Sequence, residues 1–223
     1  MIIVHHLNNS RSQRILWLLE ELGLDYEIKK YQRDRKTMLA PPELKAVHPL
    51  GKSPVITDGD TVVAESGAII EYLTAKPGGE RFVPPAGSKD RLRYTFCLHF
   101  AEGSAMPPLL MKLVFDRIET TRMPFFAKPI ARGIAQKVKK QFIMPNIERN
   151  LAFLETELQK STWFAGEEFS AADIQLSFVI EAAASRGGLD ENYPKLTEYL
   201  KRIHARPAYQ RALERGGPYQ IGK

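Results

Sequence analysis

Two groups of residues about ten positions apart carry the types best suited to hold a small polar ligand: His48-Pro49-Leu50-Gly51-Lys52-Ser53-Pro54-Val55-Ile56, and Glu65-Ser66. A proline between two short β-prone runs is a candidate for the cis isomer, which is otherwise rare and is kept where a tight turn needs it. Such a turn leaves the N–H and C=O of Ser53 facing outward, able to pair with an extended peptide as an added strand would. Glu65 and Ser66 open a helix-like segment. The Glu65 carboxylate suits an α-ammonium, while the Ser66 hydroxyl and the orphan N–H groups of a helix start suit an α-carboxylate. The same residues also fit a proline-containing hairpin followed by an ordinary helix cap.

The elements around these groups follow from periodicity. Ile2 to His6 reads as a short strand, and Ile15, Leu18, Leu19 and Leu22 recur at helical spacing up to Gly23. Tyr26 to Tyr31 alternates as a second strand, and Pro42 to Val47 makes a short helix. Val55-Ile56 and Thr61 to Ala64 flank the turn Asp58-Gly59-Asp60, and Ser66 to Ala75 forms a third helix. This βαβαββα order predicts one parallel pair joined by a crossover helix, then an antiparallel hairpin, in a small mixed sheet. The breaker-rich stretch from Pro77 to Gly87 reads as a linker. The expected division is a first domain over 1–80, a linker over 81–87 and an all-helical domain over 88–223, an α+β chain of two domains. Helices are expected at Asp90 to Ala105, Pro108 to Ile118, Ile130 to Lys160 and Ala171 to Ala184, with Pro145 kinking or breaking the third. Phe169-Ser170-Ala171-Ala172-Asp173 reads as a helix start, with Ser170 as N-cap, Asp173 returning a bond and Phe169 packing before the cap.

Composition narrows the functional classes. At 223 residues, 43% hydrophobic and 26% charged, the chain has the make-up of a soluble globular protein. Its apolar runs fall short of the roughly 18 residues a spanning helix needs, and its first residues lack a signal peptide's pattern. The expectation is a cytoplasmic protein without membrane attachment. The single cysteine, Cys97, fits a reducing compartment and sits in an apolar helical stretch, where a buried, inert thiol is expected. The five histidines show no metal-ligand spacing, so no metal is expected. Net charge is +6, yet residues 1–80 hold ten Lys and Arg against eleven Asp and Glu. The excess centres on Thr121 to Phe142, with six basic and no acidic residues, and no nucleic-acid motif accompanies it. That segment reads as a solvated helix face, a steering field for anions, or a docking face for an acidic partner.

The Ser-Pro-Val turn, the Glu-Ser pair at the third helix and the later Phe-Ser-Ala-Ala-Asp-Ile together resemble the cytosolic glutathione transferases over the whole chain. The run Leu7 to Leu22, with Ala101 to Pro108, resembles a bacterial and fungal subgroup. The resemblance implies a thioredoxin-like first domain that binds glutathione as co-substrate, a helical bundle supplying most of a pocket for a small electrophile, and a homodimer. It makes Pro54 the cis-proline, places the Ser53 backbone against the cysteinyl part, gives Glu65 and Ser66 the γ-glutamyl end, and brings Lys52 to the glycyl carboxylate. Its serine-type pattern falls on Ser10 as the catalytic residue, with Ser12 the alternative. No Tyr or Cys stands in that loop. It also implies that Glu102 and Ser104 lie where a dimer partner's site is approached.

A thiol of pKa about 8.5 is only a few per cent ionised at pH 7, and lowering it by two units requires about 2.7 kcal/mol of preference for the thiolate. One charge-assisted hydrogen bond, about 1.5 to 3 kcal/mol, supplies most of this, and the positive end of the first helix adds to it. A Ser hydroxyl at Ser10 is a suitable donor, although Ser10 is equally a helix cap. Arg11 and Arg14 add positive field, and Arg14, on the apolar side of its helix, also fits a buried structural pair. The activated thiolate serves conjugation to small hydrophobic electrophiles, or glutathione-dependent peroxide or disulfide reduction. A non-enzymatic interaction protein on the same fold is the other class. Phe96, His99, Phe100, Met106, Leu109 and Phe115 are plausible pocket walls that fit ordinary core equally well.

Overall fold

The apolar stripe of the first helix sets the architecture, because it must be covered on two sides. In the computed structural model, which describes residues 1–34, 37–186, 188–219 and 221, strand β1 (Ile2–Leu7) leads into helix α1 (Ser12–Leu22). Ile15, Leu16, Trp17, Leu18 and Leu19 of α1 are all wholly buried. The helix stops at Gly23, whose left-handed backbone (φ 69°) lets its N–H cap the Leu19 carbonyl. Strand β2 (Tyr26–Tyr31), helix α2 (Pro42–Val47), strands β3 (Val55–Asp58) and β4 (Thr61–Ala64) and helix α3 (Ser66–Thr74) follow. The sheet order is β2-β1-β3-β4. β1 pairs parallel with β2, with His6 opposite Lys30, and antiparallel with β3, with His5 opposite Val55. This is the mixed sheet expected from the order of elements.

The rest is helical: α4 (Lys89–Phe100), α5 (Met106–Thr120), α6 (Lys128–Val138), α7 (Met144–Lys160), α8 (Ala171–Arg186), α9 (Pro194–His204) and α10 (Pro207–Gly216). The breaks expected at the prolines are bridged. A π-helical turn at Ala101–Ala105 joins α4 to α5 ahead of Pro107 and Pro108, and another at Lys139–Ile143 joins α6 to α7 ahead of Pro145. A proline lacks the N–H for the ordinary ladder. The wider turn just before it accommodates the lost bond without ending the helix.

Helix α8 is the hub, buried along most of its length. At its start the Asp173 carboxylate accepts from the Ser170 N–H (2.9 Å), the Ser170 hydroxyl (3.1 Å) and the Phe164 N–H (3.0 Å). Phe169 packs against Trp17, whose ring also meets Tyr209 of α10 edge-on at 5.2 Å. Helix α10 thus folds back onto α1, where Arg206 pairs with Glu21 and both Arg211 and Arg215 with Glu20. Cys97 is buried as expected, and that burial pushes its thiol up to about 12. No helix among the described residues is long and apolar enough to cross a membrane, and none of their side chains cluster as a metal site.

Candidate active site

A cavity of about 1200 Å³ opens between the first-domain loops and the α4–α5 junction. Among the described residues it is lined by Leu7 at the end of β1 and Arg11 after it, by Gln32 to Asp34, Thr37 to Pro42 and Lys45 around α2, by His48 and Leu50 to Pro54, by Ala64 to Ser66, and by Glu102 and Leu110. Lys52, Ser53, Pro54, Glu65 and Ser66, singled out from sequence, are therefore gathered on one wall.

The Ser53–Pro54 peptide is cis. The Ser53 hydroxyl donates to the His5 carbonyl at 2.9 Å and accepts from the Leu7 N–H at 3.3 Å, tying the turn to β1. Because β3 begins only at Val55, no ladder bond consumes the Ser53 N–H or C=O, and no other described residue bonds to them. An extended peptide can pair there. Glu65 is the N-cap of α3, with φ 70° and ψ 127°, a conformation that non-glycine residues rarely adopt. It is exposed and lines the cavity. Ser66 is the first residue of α3 and its hydroxyl accepts from Arg14 Nη2 at 2.7 Å. No side chain caps the start of α3, and the unpaired N–H groups of a helix's first turn suit a carboxylate.

The loop before α1 is organised differently from the expectation. Ser10 and Ser12 do not line the cavity, whereas Arg11 between them does. Ser10 retains 3% exposure and Ser12 none, so of the two only Ser10 keeps any surface toward solvent. The Ser10 hydroxyl accepts the Ser12 N–H at 3.2 Å, the cap-like role, and lies 2.7 Å from the Ser12 hydroxyl. Asn9 takes a left-handed backbone (φ 48°), which turns the chain into the helix.

Arg11 and Arg14 meet Glu102 in the π-helical turn. Arg11 Nε bonds both carboxylate oxygens, at 3.1 and 3.0 Å, and Arg14 bonds one of them as well as the Gln175 carbonyl. Burial opposes the charge on Glu102, but Arg14 and Arg11 outweigh it and hold its carboxyl below the ordinary value. Glu102, which the resemblance put where a dimer partner's site is approached, closes on two arginines of its own chain, and the Arg14 pair is the buried one. The six aromatic and apolar residues considered as pocket walls are absent from this cavity's lining: Met106 and Leu109 are core, and Phe96 stacks on Phe100 at 5.2 Å. Leu110 is the apolar second-domain residue at the cavity. Arg33 and Lys45 are lining residues whose cationic types alone did not mark them out.

With the mixed sheet, the cis-proline turn and the Glu-Ser helix start in place, comparison with known proteins identifies the family. The family models for the glutathione S-transferase N-terminal and C-terminal domains match residues 1–75 and 117–207. The chain belongs to the glutathione S-transferase family. Glutathione S-transferase 3 of Schizosaccharomyces pombe is 37% identical over 96% of this chain and 88% of its own length. Glutathione S-transferase 1 of Saccharomyces cerevisiae is 33% identical over 96% of this chain and 95% of its own. The crystal structure of a glutathione S-transferase from Actinobacillus pleuropneumoniae, 35% identical, superposes with a TM-score of 0.79 over 97% of this chain and 93% of that one. The chain is thus a glutathione transferase with glutathione as co-substrate, and an interaction protein without enzymatic activity is set aside.

Proposed function

We propose that this transferase is of the serine type and conjugates glutathione to small, partly apolar electrophiles. The observation that carries the reading is the convergence of the unpaired Ser53 backbone, the Glu65 carboxylate, the Ser66 helix start and the Arg11 loop on one cavity. In this reading the cysteinyl part of glutathione pairs with Ser53, its γ-glutamyl ammonium meets Glu65, and its γ-glutamyl carboxylate meets Ser66 and the α3 N-terminus. Lys52 takes the glycyl carboxylate. The thiol then lies beside the Ser10–Arg11 loop.

Ser10 is the proposed catalytic donor to the thiolate and Ser12 its support, because only Ser10 retains exposure. Arg11 adds positive field at the cavity wall. The acceptor enters beside Leu110, and the product is the thioether. Peroxide or disulfide reduction uses the same thiolate on another acceptor and is separated by product analysis. The first domain is proposed to end at residue 80 and the second to begin at 88. A homodimer is supported by the apolar side chains left exposed on β4 and α4, Val62, Leu92 and Phe96. A role in detoxification within the reducing cytoplasm suits the lone buried cysteine.

The test is a pH titration of the ultraviolet thiolate absorbance of bound glutathione, run with turnover of a halogenated dinitroarene. A depressed thiol pKa that Ser10→Ala raises, with turnover falling in parallel, is the expected result. Unchanged turnover and pKa in Ser10→Ala remove the serine-type reading.

A further inference from the structure

Ser10 can donate to a thiolate only if its own hydrogen is free, and in this structure its oxygen already has two partners. The Ser12 N–H points at it from 3.2 Å, and the Ser12 hydroxyl sits 2.7 Å away. The first contact uses a lone pair of Ser10 and leaves its hydrogen untouched. The second is undetermined in direction, since either hydroxyl can donate. What decides it lies one step further back, where Ser12 Oγ is 2.9 Å from Nδ1 of His6 on β1. His6 is 5% exposed and Ser12 wholly buried. His6, Ser12 and Ser10 therefore form a buried row of three polar groups, with Ser12 wholly enclosed between the other two.

Counting hydrogens gives two arrangements. If Nδ1 is a bare acceptor, Ser12 donates to it, Ser12 must then accept from Ser10, and Ser10 turns lone pairs toward the sulfur. That favours the thiol over the thiolate. If Nδ1 carries the hydrogen, it donates to Ser12, Ser12 donates to Ser10, and the Ser10 hydrogen is released to point at the sulfur. The remaining acceptor near Ser12, the Leu7 carbonyl, is at 3.4 Å, the longest contact in the group and a weak competitor.

We propose that His6 is a positioning residue for thiolate formation: its Nδ1–H tautomer orients the Ser12 hydroxyl toward Ser10 and so frees the Ser10 hydrogen for the glutathione sulfur. This rests on the reading of Ser10 as donor. Burial, with Lys30 opposite in the sheet, lowers the pKa of His6 to about 4, so the ring is neutral at physiological pH and has one hydrogen to place. In a neutral ring the tautomer is set by what the nitrogens face. Here the hydrogen on Nδ1 gives each of the three groups a bond without spending the Ser10 hydrogen.

Two measurements on the glutathione complex test this. In wild type, nitrogen NMR of labelled histidine is expected to show His6 Nδ1 as the protonated, pyrrole-type nitrogen; a pyridine-type Nδ1 overturns the proposal and needs no variant. In His6→Phe, which removes the donor, the pKa of the bound thiol is expected to rise by about one unit, a tenfold loss of thiolate at pH below it. His6→Asn, whose amide N–H falls near the place of Nδ1, is expected to recover most of that shift. Ser10→Ala run beside them separates the failures. If Ser10→Ala raises the thiol pKa and His6→Phe does not, the His6 proposal falls alone. If Ser10→Ala leaves the pKa unchanged, the donor reading falls and takes the proposal with it.

Discussion

Arg14 on α1 donates to the hydroxyl of Ser66 on α3 across 2.7 Å, so the helix beside the proposed thiol site directly holds the first residue of the helix proposed to read the γ-glutamyl end. The same guanidinium reaches the Gln175 carbonyl of α8 and the Glu102 carboxylate. Three acceptors from three elements are met by one planar fork, which an ammonium cannot imitate. Arg14→Lys is therefore expected to lose at least one buried bond, destabilising the fold by about 2 kcal/mol and raising KM for glutathione more than it lowers kcat. Denaturant midpoints and steady-state kinetics check both parts. A change confined to kcat contradicts this account.

Glu65 holds a strained backbone and an exposed carboxylate at the same position. Glu65→Gln keeps the strain and removes the charge, so glutathione affinity is expected to fall about ten- to a hundredfold, the worth of one charged hydrogen bond, with stability little altered. Glu65→Gly relieves a conformation that costs of order 1 kcal/mol or more, and is expected to raise the unfolding free energy while binding still fails. Calorimetric titration and denaturation of both variants give the answer. Equal affinity in Glu65→Gln and wild type would remove Glu65 from the site.

The first domain was legible because each of its elements is local. The apolar run at Ile2 to His6, the alternation in Tyr26 to Tyr31, the stripe on α1 and the Ser53-Pro54 turn each declare themselves within a few residues. The wall formed by Ser53, Glu65 and Ser66 followed from the same short motifs. The loop from Asn8 to Ser12 did not: whether Ser10, Arg11 or Ser12 faces the cavity depends on one residue's backbone, Asn9 at φ 48°, which composition does not reveal. The contact of Glu102 with Arg11 and Arg14 was not legible, because the π-helical turn that carries Glu102 has no periodic signature. Pro145 and the Pro107-Pro108 pair signalled breaks that those turns absorb. Helices α9 and α10 escaped notice because their basic residues mask the apolar positions Leu196, Tyr199 and Ile203, and Tyr209 and Ala212, that they bury.

Asp173 makes stability depend on pH in the sense opposite to most carboxylates. Burial raises its pKa from 3.8 to about 6, against the pull of the Phe164 and Ser170 donors. Below the lower value it is protonated whether folded or unfolded. Between the two values only the unfolded chain is ionised, so its contribution to stability is lost as pH rises through that window. From pH 4.5 to 7.5 this amounts to about 2 kcal/mol. Asp173→Asn cannot titrate. The difference in unfolding free energy between wild type and the variant is therefore expected to move by about that much in the variant's favour over this range. A constant difference would place the pKa of Asp173 at its ordinary value.

Glu102 is the charge that makes the burial of Arg14 tolerable, since the Arg14 side chain is 1% exposed and Glu102 is its carboxylate partner. Glu102→Gln keeps the shape and leaves the guanidinium buried beside a second cation, Arg11. Breaking such a pair typically costs about 3 kcal/mol or more, although the 30% exposure of Glu102 lets water offset part of it here. About 2 kcal/mol of destabilisation is expected. Arg14→Met alone should be costly too, because it strips Ser66 and Gln175 of their donor. The double variant, which leaves neither charge, should be less destabilised than the sum of the two single changes, and a double-mutant cycle measures the difference. Additive losses would mean that Glu102 and Arg14 act independently and that the contact between the π-helical turn and α1 contributes no coupling.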